Sequence, residues 1–304
     1  MKSSRLSELQ RLILKHGSAD GKPRKELPFV TVARFEAPTE LLRYIAAPMF
    51  SLVVQGTKQV GLGEQLFEYG IGEYLVTSVD LPISARITRA SKKTPLLGVG
   101  IVLQPKAVAN LLLEVGSAET VRAYAPAGIG VSILTEDLID AVLRLLRLLD
   151  KPYDIPVLSP GIEREIVWRL LRGPQGATVR QLGSPDSHTF QVSNAMRWIR
   201  SNYAETLRIE TLARIAGMST TSFHRHFREV SSMTPIQYQK HIRLQEARMR
   251  LMAGDDDVTA VGSSVGYDSA SQFSREYRRL FGKAPGQDRE RLRRSKLASS
   301  EKYA

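Results

Sequence analysis

Apolar side chains recur at helical spacing from the start of the chain: Leu6, Leu9 and Ile13 form a stripe, with Arg5, Glu8, Arg11 and Lys15 set among them. These charges break the continuous apolar stretch a leader peptide requires, so residues 1–17 are expected to form an amphipathic helix of a cytosolic protein. Between residues 29 and 104 the period shortens to two. Ile83, Ala85 and Ile87 alternate with Ser84, Arg86 and Thr88, while runs over 51–55, 65–69 and 74–77 are bounded by Gly56, Gly61, Gly63, Gly70 and Gly72. Short strands at this spacing predict a small barrel or sandwich. Helical spacing then returns. Residues 105–115 are apolar-rich, and Leu134, Leu138, Val142, Leu145 and Leu149 step by threes and fours. Ser159 and Pro160 offer an N-cap and a first-turn proline ahead of Ile162, Ile166 and Leu170. Gly173, Pro174, Gly176, Gly183, Ser184, Pro185 and Ser187 crowd residues 173–189, which reads as a linker. Two domains are expected, residues 1–188 and 189–304.

Every pattern after Phe190 is helical, and it repeats. Gly217…Phe223-His-Arg225-His-Phe227 leads to Pro235, and Gly266…Phe273-Ser-Arg275-Glu-Tyr277 leads to Pro285, the two copies being offset by 50 residues. In the first, Gly217 can end a short helix through a positive φ, and Ser219 can cap the next. Phe223 and Phe227 share one face, which leaves Thr221, His224, Arg225 and Arg228 on the other. That is the grammar of a helix-turn-helix whose second helix enters the major groove. One helix is expected over residues 236–253, with Tyr238, Ile242, Met249 and Met252 as its apolar side. Its ~17 residues span roughly 26 Å. Two recognition helices held that far apart reach successive major grooves, about 34 Å apart, when the duplex bends.

Composition narrows the partner. The 304 residues carry 43 Lys and Arg against 31 Asp and Glu, a net charge of +12, and residues 190–304 alone hold 20 against 12. Most of the excess therefore lies where a helix-turn-helix needs it for phosphates. There is no cysteine in the chain and no histidine between His16 and His188. Thiolate chemistry and the histidine-rich metal centre of a barrel enzyme are thereby excluded. Nothing resembles a P-loop, a nucleophile elbow or a dinucleotide fingerprint. No catalysis, metal or cofactor is expected, and the longest apolar run, residues 96–103, is far shorter than a membrane span.

The ordered segments Gly217-Met-Ser, Phe223-His-Arg225-His-Phe227, Thr234-Pro235-Ile-Gln-Tyr238, Ile242-Arg243-Leu-Gln-Glu-Ala247-Arg248 and Val265-Gly266-Tyr267…Phe273-Ser-Arg275…Phe281-Gly282…Pro285 carry a resemblance. Over about residues 190–294 the chain resembles AraC-type bacterial transcription regulators. Pro48…Leu52-Val-Val-Gln-Gly56 and Ser78-Val-Asp80-Leu-Pro82 are similar to an N-terminal sensor domain of that family. The resemblance implies an α+β chain: a cupin-like β-barrel followed by helices, then an all-α domain with two helix-turn-helix motifs joined by a long helix. It implies a sequence-specific regulator, an activator, that binds double-stranded DNA as a homodimer and contacts RNA polymerase. A small organic effector on the N-terminal domain would control it; a ligand-independent regulator of the same fold is the alternative. Three departures fall in the second motif. Gly262-Ser263-Ser264 replaces an Ile-Ala helix, Asp288 stands in place of an aromatic, and Ala270 and Ser271 are short. They suggest that the first motif reads bases and the second mainly holds phosphates.

The DNA-contacting candidates are Ser219, Thr220, Thr221, Ser222, His224, Arg225 and Arg228, then Ser269, Ala270, Ser271, Gln272, Ser274, Arg275 and Arg278. The guanidinium forks of Arg225 and Arg275 match guanine or phosphate equally, and either could also stand solvated. His224 and His226, two apart on a helix, face different ways, so no shared metal is expected and His226 reads as structural. Asp255-Asp256-Asp257 lacks the spaced ligands of a calcium loop and is expected to stop one helix and cap the next at Asp257. The tail residues Arg289, Arg291, Arg293, Arg294 and Lys296 either track phosphates or remain solvated. Tyr69, Tyr74 and Arg86 are the candidate lining of an effector pocket. The Leu134–Leu149 stripe is either a dimer seam or the cover of the barrel, with residues 105–115 as the other possible seam. An architectural or RNA-binding protein would lack the paired helix-turn-helix spacing.

Overall fold

The computed structural model describes residues 2–19, 22–115, 128–254 and 257–291. They divide into two compact units: residues up to 193 together with 229–232, and residues 194–228 together with those from 233 onward. The first unit runs α1 (Lys2–His16), β1 (Val30–Phe35), β2 (Leu42–Ala46), β3 (Met49–Gln55), β4 (Thr57–Leu62), β5 (Gln65–Tyr69), β6 (Glu73–Thr77), β7 (Leu81–Arg89), β8 (Leu96–Val102), α2 (Pro105–Val115), β9 (Ile129–Ile133), α3 (Glu136–Arg147), α4 (Ile155–Arg172) and α5 (Gly176–Gly183). Its strands form two antiparallel sheets, β1-β8-β3-β6-β9 and β2-β7-β4-β5, so the β-region is a sandwich.

The period-two pattern explains where the core lies. On the five-stranded sheet, Val30, Val32, Phe50, Leu52, Val54, Leu97, Val99 and Ile101 join one buried cluster with Leu9, Leu12 and Ile13 of α1 and with the apolar faces of α3 and α4. Each such side chain, fully buried, contributes about 1.5–3 kcal/mol. The alternate positions on that sheet face a cavity instead, among them the small residues Thr31, Ala33, Ser51, Gly98 and Gly100.

Four expectations are revised here. The α3 stripe is core: Leu138, Val142 and Leu145 are at most 2% exposed within a single chain, between α1 and α4, so it offers no free dimer seam. Residues 173–189 are not a bare linker, because α5 occupies their middle and buries Val179 and Leu182. Its glycines serve close approach rather than flexibility. A Cβ on Gly176 would lie 2.2 Å from Leu171 O, and one on Gly183 would lie 2.5 Å from Ala109 N. Helix α4 starts ahead of Ser159, with Asp154 at its N-cap and a proline in its first positions, so Pro160 sits inside the helix. Finally, residues 129–133 form an edge strand on β6, in a region read as helical.

The remaining elements are all helical: α6 (His188–Ser201), α7 (Ile209–Ile215), α8 (Thr220–Ser231), α9 (Pro235–Ala253), α10 (Val258–Ser264), α11 (Ala270–Phe281) and a further helical stretch over 285–291. Helix α9 matches its expected span and opens on a capping box. Thr234 Oγ1 accepts from Gln237 N, and Gln237 Oε1 accepts from Thr234 N at 2.9 Å. Its buried face is not the expected one, since Met249 and Met252 are exposed. Tyr238 and Ile242 are buried in the first half, Leu244, Ala247 and Leu251 in the second. The seam rotates because one helix serves two motifs on different sides, which a single period cannot express. Among the described residues, no helix is long and apolar enough to cross a membrane.

Candidate nucleic-acid interface and ligand cavity

Helices α7 and α8 form one helix-turn-helix, α10 and α11 the other. Gly217 (φ +64°) and Gly266 (φ +91°) make the turns, in the left-handed region that glycine enters without strain. At Gly266 space adds to conformation, as a Cβ would lie 2.4 Å from Ala204 O. Ser219 Oγ then accepts from Ser222 N, and Ser269 Oγ from Gln272 N, each at 3.3 Å, so both second helices begin on a serine cap. Asp257 caps α10 through Thr259 N at 2.9 Å, as its position suggested; Asp255 and Asp256 lie outside the described residues.

Aromatic rings fix the inward faces. Phe223 meets Phe227 at 5.4 Å, and Phe227 meets Tyr238 of α9 at 5.5 Å. In the second copy, Phe273 lies between Tyr267 at 5.3 Å and Tyr277 at 5.6 Å. Gly262, which seemed only to weaken α10, has a packing reason. A Cβ there would come within 3.0 Å of the Phe273 ring, so the glycine admits the aromatic at close range.

Charged groups tie the helices together. Arg243 on α9 donates from Nε to Tyr203 O at 2.6 Å and from Nη1 to Gly266 O at 2.6 Å, tying the segment between α6 and α7 to the turn of the second motif. Glu276 on α11 accepts from Lys240 Nζ at 2.7 Å and from the Tyr267 hydroxyl at 2.8 Å. Asp288, fully buried, accepts from Arg248 Nε at 2.8 Å, from the Tyr277 hydroxyl at 3.0 Å and from Arg291 Nη2 at 3.1 Å. Burial alone would raise its pKa, but these donors outweigh it and hold the carboxyl below its ordinary value. The departure at 288 is thus an ionic lock in place of an aromatic contact.

With the rings and locks inside, the outward faces are polar. On α8, Thr220, Thr221, His224, Arg225 and Arg228 are exposed, Ser222 is half-buried, and Ser219 is exposed ahead of the helix. Arg225 Nη2 also lies 3.2 Å from Nε2 of the buried His226. On α11, Ala270, Ser271, Gln272, Arg275 and Arg278 are exposed, while Ser269 and Ser274 are half-buried. Gln272 Nε2 turns back to Glu276 at 3.2 Å. Both motifs therefore present a polar surface with arginines at equivalent positions, 225 with 275 and 228 with 278. Of the tail residues, Arg293, Arg294 and Lys296 lie outside the described residues, and Arg291 is bound to Asp288.

Between the two sheets of the first unit is a cavity of about 410 Å³. The three residues expected to line it separate. Tyr69 is buried behind it, its hydroxyl 3.0 Å from the lining residue Ser51. Arg86 belongs to the lining, yet its side chain is exposed and its Nε donates to Gln59 at 2.7 Å. Tyr74 lies elsewhere, its ring 5.2 Å from Phe50 in the helix-side core. Lys58 is the charged lining residue that sequence reasoning missed. Its signal was parity: Lys58, Val60 and Leu62 share one face of a strand whose other members are buried. Among the described residues, no group of three or more acidic or histidine side chains could hold a metal.

Comparison with known proteins gives matches to both units. Residues 26–178 match the family described as AraC-type transcriptional regulator N-terminus, and residues 212–291 match a helix-turn-helix domain. The HTH-type transcriptional activator RhaS of Pectobacterium carotovorum subsp. carotovorum is 31% identical over 105 residues, 34% of this chain and 38% of that protein. The RCS-specific HTH-type transcriptional activator RclR of Escherichia coli is 34% identical over 137 residues, 45% of this chain and 42% of that protein. The matched stretches thus span less than half of either relative. Among solved structures, apo ToxT from Vibrio cholerae superposes with a TM-score of 0.58 at 10% identity, covering 89% of this chain and 99% of that one. ToxT bound to an unsaturated fatty acid gives 0.55 at 9% identity, covering 86% and 93%. These two establish likeness of fold.

Proposed function

The chain belongs to the AraC-type transcriptional regulators, and from that premise we propose that it binds double-stranded DNA sequence-specifically through both helix-turn-helix motifs. The observation that carries this reading is the matched pair of outward faces, Thr221, His224, Arg225 and Arg228 on α8 with Arg275 and Arg278 on α11, each backed by a ring-packed interior. Ser219, Thr220 and Ser222, with Ser269, Ala270, Ser271, Gln272 and Ser274, complete the proposed contact surface. The named relatives RhaS and RclR are activators, which supports activation, with RNA polymerase as partner, over repression. Work on DNA supports a cytoplasmic location.

Control is assigned to a small organic effector in the inter-sheet cavity, a reading supported by the cavity's volume and by ligand-bound ToxT. A homodimer is proposed through apolar side chains left outside the core. Leu113 of α2, 81% exposed, is the first candidate now that the α3 stripe is buried.

Selection of bound duplexes from a random pool, followed by footprinting of the full chain at about 0.15 M salt, tests the reading. A discrete protected site is expected, with an affinity whose logarithm falls by roughly 0.9 per phosphate contact for each decade of salt. Uniform coverage of any sequence overturns it.

A further inference from the structure

The inter-sheet cavity carries an inference about ligand class that rests on the effector reading above. None of its lining residues is Asp or Glu, and most are apolar or small. One cationic side chain turns into it. Lys58 pairs across the sheet with Tyr69 on β5 and with Ile87 on β7, so it shares their face, the one on which Tyr69, Ala85 and Ile87 are buried. Arg86 alternates to the opposite face, beside Gln59. Tyr69, whose hydroxyl lies 3.0 Å from Ser51 Oγ, and Tyr44 are the polar neighbours of Lys58. The Tyr69 and Tyr44 phenols push the pKa of Lys58 up against the opposing effect of burial.

A charge held in apolar surroundings without an opposite charge is costly, and a bound anion removes that cost. Among the described residues, no carboxylate pairs with Lys58. The space beside it is walled by Ala33, Val53, Ile87 and Leu96. Its volume of about 410 Å³ falls in the range of small-molecule sites, ~300–1,000 Å³. We propose that the cavity binds an organic monocarboxylate with an apolar body, the carboxylate resting on Lys58 Nζ beside the Tyr69 and Tyr44 hydroxyls. The same site should reject the matched amine, whose like charge meets Lys58, and should hold the neutral amide only weakly.

Titration calorimetry on the full chain, with decanoate and 2-naphthoate against decanamide and decylamine, tests this. Carboxylate binding is expected to fall on the order of 30-fold in Lys58→Met and to survive in Lys58→Arg, with decanamide indifferent to both changes. Tyr69→Phe, which keeps the ring, is expected to cost decanoate about fivefold and serves if Lys58→Met does not fold. Equal affinity for decanoate and decanamide overturns the assignment. So does undiminished decanoate binding in a folded Lys58→Met or in Tyr69→Phe, or failure of both carboxylates to bind. Footprinting in parallel separates the two readings. Lys58-dependent binding that leaves the footprint unchanged keeps the site and removes its effector role, whereas a footprint answering only to neutral molecules does the reverse.

Discussion

Arg225 and Arg275 occupy equivalent positions, but their neighbours differ. Arg225 stands beside exposed Thr221 and His224, whereas Arg275 stands beside Ser271 and half-buried Ser274, with Gln272 drawn back to Glu276. Arg225→Ala is expected to lose about 1–3 kcal/mol on the preferred duplex and to relax base preference near its contact. Arg275→Ala should weaken all sequences alike. Binding measured on the preferred site and on single-base variants checks both, and unchanged preference in Arg225→Ala speaks against base reading there. Asp288 illustrates what a lone sequence conceals. It registered only as a missing aromatic, because its main partner Arg248 is 40 residues away and no local pattern links them. Asp288→Asn leaves a largely buried guanidinium without its counterion, at a cost of about 3 kcal/mol in a denaturant melt near neutral pH. The sign with pH follows from the lowered carboxyl. Its contribution is complete above the ordinary value near 4 and is lost as pH falls through the folded-state value. Wild type and variant should therefore converge in acid.

At the scale of elements, legibility followed locality. The Ser219 cap, the turn at Gly217, the span of α9 and the strands at 65–69 and 74–77 rest on residues near one another in the chain, and each could be read directly. Elements defined by distant partners could not. The glycines of α5 look like flexibility in sequence and act as contact points against Leu171 and Ala109 in space. Edge strand β9 depends on β6, some 56 residues earlier in register. The apolar arc of α3 fits a dimer seam or a core equally well until α1 and α4 are seen to cover it. Leu145→Glu decides between these physically, because Leu145 is fully buried in one chain. An unpaired carboxylate there is expected to abolish cooperative unfolding of the first unit in calorimetry, by several kcal/mol. A folded monomer with a normal melt would reinstate the seam.

On the scale of the whole molecule, the repeat and the charge asymmetry made the DNA-binding half legible, while the cavity stayed hidden because it is assembled from residues of six strands. That assembly has a dynamic corollary. The apolar cluster shared with the helices includes β1, β3, β6 and β8 but no residue of β2, β4, β5 or β7. The four-stranded sheet faces a cavity where its partner sheet faces a packed interior. Local opening costs least where the fewest apolar contacts must be broken. Amide protons of β2, β4, β5 and β7 are therefore expected to exchange with deuterated solvent well before those of β3 and β8, and occupancy of the cavity should slow them selectively. The sandwich then behaves as one rigid leaf and one hinged leaf, and a molecule seated in the cavity would act as the clasp between them.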